Sequence, residues 1–136
     1  INVGFTDATA SASGTGCLPF LMTGTTLADD NTDGAMFMLD TNQTTDYFYR
    51  VNNLNGTSAS GILASTYVPV NDTFITMRIA IDTTGKATYY WNGKAVASKA
   101  TATTTTVALC AYVGIRNNTA SAHVCSIDYI KLWCDR

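Results

Sequence analysis

Apolar and polar positions alternate with a period of two along much of this chain, most clearly from Met77 to Val96. Met77, Ile79 and Ile81 alternate with Arg78, Ala80 and Asp82, the pattern of a strand with one buried face. Thr83-Thr84-Gly85 supplies a turn in which Gly85 is free to take positive φ. Ala87–Trp91 returns as a second strand, rich in β-formers and aromatics. Asn92-Gly93 then predicts a two-residue type I′ hairpin, because both central positions of that turn need positive φ.

The same reading places strands at Val3–Thr6, Leu18–Thr23, Ala35–Asp40, Tyr47–Val51, Ile62–Tyr67, Thr73–Asp82, Ala87–Trp91, Lys94–Ser98, Val107–Ile115 and Val124–Trp133. Turn residues separate them at Asp29–Gly34, Asn52–Gly61, Pro69–Asp72 and Asn117-Asn118, while Ala8–Gly16 reads as a loop. No segment carries the 3.6-residue stripe of an amphipathic helix. About ten short strands between turns indicate an all-β fold, an antiparallel two-sheet sandwich formed as a single domain over residues 1–136. In the last strand Ile130 and Leu132 alternate, yet Asp128 falls on their face. A bulge near Asp128–Tyr129 resolves the conflict and turns Ile127, Ile130 and Leu132 inward. The expected core holds Ile79, Ile81, Tyr89, Trp91, Leu109, Ile127 and Ile130.

Composition supports the all-β reading. The 136 residues include 23 threonines, and all ten acidic residues are aspartates. Glutamate favours helices and is depleted in strands, so its absence fits a β fold. Only 13% of residues are charged and the net charge is −2, which argues against a nucleic-acid partner that would need a basic face. No apolar run is long enough to span a bilayer as a helix, so no membrane partner is expected. The chain begins at Ile1 rather than Met, as a processed or incomplete product does, so the lack of a visible leader carries no weight.

The run Arg78-Ile79-Ala80-Ile81-Asp82, Gly85-Lys86, Tyr89-Tyr90-Trp91-Asn92-Gly93-Lys94 resembles the central meander of concanavalin A-like (laminin-G-like) jelly rolls. In those a strand ending in Asp precedes a turn, a strand and an Asn/Asp-Gly-Lys hairpin. Ser126-Ile127-Asp128-Tyr129-Ile130-Lys131-Leu132 is similar to their closing strand. Gly4-Phe5-Thr6-Asp7 and Gly34-Ala35-Met36-Phe37-Met38-Leu39-Asp40 are compatible with the remainder. Over its full length, including Phe20–Leu27 and the Asp-Arg terminus, the chain also looks like small jelly-roll proteins of tailed bacteriophages, which are virion surface components. The resemblance implies a non-enzymatic decoration or fibre-associated module at the virion surface. Its partners would be capsid or other virion proteins, further copies of itself in a homo-oligomer, and surface glycans. The alternative is a secreted, lectin-like carbohydrate-binding module.

Candidate chemistry is sparse. Jelly-roll glycosidases need two carboxylates across the scissile bond, and no glutamate is present; Asp40 with Asp46, or Asp82 with Asp128, reads as strand ends and turns. His123 is the only histidine, and every nucleophilic triad would have to pass through it. Asp29, Asp30 and Asp33, in Asp-Asp-Asn-Thr-Asp-Gly, form the most calcium-like stretch, since calcium takes several oxygen ligands from a flexible loop. The same composition describes any tight loop, and some laminin-G-like modules carry a rim calcium.

The four cysteines, Cys17, Cys110, Cys125 and Cys134, allow three full pairings. Cys110 and Cys125 sit in apolar strand contexts, where cysteine acts as a small hydrophobe. Reduced thiols are the default for a particle built in a bacterial cytosol. For a secreted jelly roll, a Cys17–Cys134 link would join neighbouring termini. Asn42, Asn55, Asn71 and Asn117 head Asn-x-Ser/Thr triplets, which matter only in a eukaryotic secretory setting. Among the aromatics, Phe48 and Tyr90 are the ones alternation turns away from the core, available to stack on sugars or anchor a partner. Ile1–Thr6 and Thr101–Thr106 read as strand edges without guarding charge, suited to contact with a neighbouring subunit or shell.

Overall fold

A computed structural model describes residues 2–7, 22–23, 26–27, 33–39, 49–54, 57–62, 67–68, 70–115 and 124–134. Its elements are strands: β1 Asn2–Asp7, β2 Met22–Thr23, β3 Thr26–Leu27, β4 Gly34–Met38, β5 Tyr49–Leu54, β6 Thr57–Ile62, β7 Met77–Ile81, β8 Ala87–Trp91, β9 Lys94–Lys99 and β10 Leu109–Gly114. A five-stranded sheet runs β10-β1-β4-β5-β6, a three-stranded sheet runs β7-β8-β9, and β2 pairs with β3. Every pairing is antiparallel. No helix occurs among the described residues.

The two larger sheets pack face to face as a β-sandwich. Ala35, Phe37 and Leu39 from β4 and the residue after it meet Ala87, Tyr89 and Trp91 of β8, with Ala102 closing the cluster. The period of two in Ala87–Trp91 explains β8: Ala87, Tyr89 and Trp91 are buried while Thr88 and Tyr90 are half-buried. Phe37 lies between the two large aromatics of β8, its ring centroid 5.3 Å from Tyr89 and 6.3 Å from Trp91. Tyr67 completes the row, 5.6 Å from Trp91. β4 is buried along its whole length, Met36 and Met38 included. A short continuous apolar run of this kind belongs to a strand covered on both faces.

Both expected turns of the meander form. Asn92 and Gly93 have φ of 48° and 81° between the paired residues Trp91 and Lys94, the positive-φ geometry a two-residue type I′ loop requires. Asn92 also locks the start of β7: its N–H donates to the Thr76 carbonyl at 2.8 Å and its Oδ1 accepts from the Thr76 N–H at 2.9 Å. The other turn closes with Gly85 at φ 76°, its N–H donating to the Asp82 carbonyl at 2.9 Å. A bulge occurs in β9, where Tyr89 pairs with Ala97 and Tyr90 with Ala95, leaving Val96 as the extra residue.

Several expectations are corrected. Residues 57–61, read as turn, belong to β6, and Leu54 pairs directly with Thr57. A strand of small polar residues has no alternation to read, but Asn55-Gly56 between the partners is the same hairpin dipeptide as Asn92-Gly93. β7 begins at Met77 rather than Thr73, after a turn at Asn71-Asp72 in which Asp72 takes φ 57°. Of the expected edge Ile1–Thr6, residues 2–6 are no sheet edge, because β1 is paired there on both sides, with β10 and β4. Within Thr101–Thr106, Ala102 and Thr103 are buried. Residues 124–134 form no strand, so the expected closing strand and its bulge are absent from the structure. Ile127 and Ile130, expected in the core, are 52% and 63% exposed. Tyr89 and Trp91 are buried as expected, while Ile79, Ile81 and Leu109 are half-buried.

Candidate binding surface

One end of the sandwich is occupied by a polar junction around residues 101–104. The Gly85 carbonyl accepts from the Ala102 N–H at 2.7 Å and the Thr103 N–H at 3.1 Å. On the other side, Asp33, 1% exposed at the entry to β4, accepts the Thr104 N–H on Oδ1 and the Thr104 hydroxyl on Oδ2 at 3.2 Å. Loop 101–104 therefore ties the turn of the three-stranded sheet to the start of β4. Gly85 is needed here twice over: its φ suits glycine, and an added Cβ would collide with the Thr103 carbonyl oxygen. Of the calcium candidates, Asp33 is engaged in this junction; Asp29 and Asp30 lie outside the described residues. So do His123, Asp40 and Asp46.

Asp82 organises its own turn. Oδ1 accepts from the Thr84 hydroxyl at 2.6 Å, the Thr84 N–H at 2.8 Å and the Lys86 N–H at 3.1 Å. The hydroxyl bond foremost, then the backbone donors and the Lys86 charge, hold its carboxyl below the ordinary value. A carboxylate that accepts several bonds within a tight turn is a structural group.

Of the two aromatics expected to face outward, Phe48 lies outside the described residues. Tyr90 is half-buried on the outer face of the three-stranded sheet. Its ring carries the Arg78 guanidinium 3.7 Å from the centroid, a cross-strand cation–π pair fixed by the Arg78–Tyr90 register. The guanidinium occupies a ring face that a sugar would need for stacking, and keeps donors free at the surface. Arg78 was not singled out in the sequence, although counting back from the two turns places it opposite Tyr90.

Among the described residues, several exposed apolar side chains depart from a closed sandwich. Val70 and Phe74, before β7, are 58% and 72% exposed. Every residue from 124 to 134 is exposed, including Val124 at 90%, Tyr129 at 67%, Leu132 at 60% and Trp133 at 60%. Lys131 sits with its ammonium 5.4 Å from the Trp133 ring centroid. Single exposed apolar residues such as Val70 and Phe74 are ordinary, but a run of them along one segment, as in 124–134, is the mark of an interaction surface.

The cysteines divide differently from the expectation. Cys110 in β10 is disulfide-bonded, so it is not a simple buried thiol. Cys125 and Cys134 are free and exposed, which removes the Cys17–Cys134 link; Cys17 lies outside the described residues. No membrane-spanning apolar helix occurs among the described residues. No protein-family model, curated protein or solved structure matches the chain.

Proposed function

We propose that this chain is a non-enzymatic, protein-binding jelly-roll module of the concanavalin A-like kind, acting as a decoration or fibre-associated component at a bacteriophage virion surface. The run of exposed apolar residues within 124–134 carries the reading, because surface of this type is what a protein presents to another protein. The face-to-face sheets, low charge and lack of glutamate support it. Contact through such a surface is only weakly Coulombic, so attachment should survive salt that screens charges to about 3 Å. Particles purified through a density gradient should retain the chain after washing in about 1 M salt. Particles without it, or its release by that wash, would contradict the proposal.

A lectin-like reading rests on the exposed rings of Tyr129 and Trp133, which offer stacking faces to a sugar. Glycan-array binding that disappears in Trp133→Ala would favour it. Binding to no glycan, with and without calcium, would remove it.

A further inference from the structure

Residues 124–134 are held in solvent although their composition is that of a strand. Cys125, Ile127 and Tyr129 alternate with Ser126 and Asp128, and all are exposed. At the same time the three-stranded sheet ends at β7, which pairs only with β8 among the described residues. On β7, Met77, Ile79 and Ile81 face the core yet remain half-buried, while Arg78 and Ala80 are exposed. A strand edge with unpaired N–H and C=O groups is a template for another strand. β9, at the other edge of that sheet, carries Lys94 and Lys99 at its ends, the charges that usually guard an edge.

We propose that residues 125–129 of one copy add as an antiparallel strand to the β7 edge of a second copy, in a reciprocal two-fold exchange. The register follows from side-chain chemistry. With Asp128 opposite Arg78, Tyr129 meets Met77, Ile127 meets Ile79, Ser126 meets Ala80 and Cys125 meets Ile81. All apolar residues then fall on the core side of β7, and the polar ones fall on its exposed side. A one-residue slip would put Ile127 on the solvent face. The Arg78–Asp128 pairing adds a cross-strand opposite-charge contact beside Tyr90. In this reciprocal exchange the two contacts are equivalent by symmetry and the assembly closes as a dimer.

The test uses the isolated full chain, so it stands or falls separately from attachment to a particle. Light scattering over a dilution series, on a chain carrying Cys125→Ala and Cys134→Ala so that these thiols cannot cross-link while the Cys110 disulfide stays intact, should give the dimer mass at high concentration. Ile127→Asp should leave a folded monomer, because Ile127 is exposed within its own chain. Arg78→Asp and Asp128→Arg should each weaken the dimer about fivefold, corresponding to about 1 kcal/mol. An equimolar mixture of those two variants should restore association, since in the mixed dimer every 78–128 contact is again of opposite charge. A monomeric native chain would overturn the proposal. So would a dimer indifferent to Ile127→Asp, unfolding by that substitution, or failure of the mixture to recover.

Discussion

The Phe37 ring stands edge-on to the Tyr89 ring, with centroids 5.3 Å apart and planes at 87°. Phe37 belongs to the five-stranded sheet and Tyr89 to the three-stranded one, so this contact joins the two layers at their most buried point. Both side chains are 0% exposed. Phe37→Ala should therefore cost about 3–5 kcal/mol, as for other buried aromatic truncations. A double-mutant cycle with Tyr89→Leu should return a coupling of roughly 0.5–1.5 kcal/mol. Urea unfolding of the four chains measures both; a loss under about 1 kcal/mol for Phe37→Ala would place the core elsewhere.

The two positive-φ turn glycines of the meander should respond differently to substitution. Gly93→Ala meets no atom within 4 Å of the new Cβ, so only the left-handed backbone opposes it, at about 1–2 kcal/mol. Gly85→Ala carries the same backbone cost and also drives Cβ into the Thr103 carbonyl oxygen. It should destabilise more than Gly93→Ala and loosen loop 101–104. Thermal unfolding of both variants gives the order, and equal losses would mean the 101–104 loop does not seat on Gly85.

Asp82 sets a pH dependence of known sign. Its carboxylate accepts three hydrogen bonds in the folded turn, which lowers its pKa from the ordinary value. The folded state then binds fewer protons than the unfolded chain as pH falls toward the unfolded value of about 4. The stability from this group is fully present above that value, and is lost as pH drops through the lower folded pKa. Asp82→Asn cannot be titrated, so its unfolding midpoint should fall less than that of the native chain between pH 5 and about 2. Parallel acid dependences in the two proteins would show that the turn contributes nothing.

Cysteine chemistry separates into two classes. Cys125 and Cys134 are exposed free thiols and should alkylate in the folded, unreduced protein. Cys110, disulfide-bonded in β10, should react only after reduction, which should lower stability by about 2–4 kcal/mol. Mass spectrometry of alkylated peptides reads the pattern. Native-state labelling of Cys110 without reductant would contradict it.

The sequence was most legible where local chemistry and tertiary context agree. Met77–Lys99 combines clean alternation with two glycine turns, and three strands and both positive-φ glycines are found there, with β7 starting at Met77 rather than Thr73. β6 was missed because its Thr-Ser-Ala-Ser-Gly-Ile stretch has no apolar face, so sheet pairing rather than pattern defines it. Residues 124–134 mislead in the opposite sense. Their alternation states that the segment is suited to a sheet, but periodicity does not say which edge receives it or whether that edge belongs to the same chain. Tyr90 was placed outward correctly, while the guanidinium stacked on it depends on cross-strand register. Asp33 stood out as a loop acid of calcium-like composition; its bonds to Thr104, 71 residues away, follow only from the fold.

Amide hydrogen exchange across residues 124–134, followed over a dilution series of the full chain, tests most directly whether this segment is the surface that meets another molecule. Exchange should be fast in the dilute chain and markedly slowed once copies associate, with the amides of β7 protected in parallel. Protection that is already complete at the lowest concentration would mean the segment is docked within its own chain. Fast exchange at every concentration would mean that no second copy receives it.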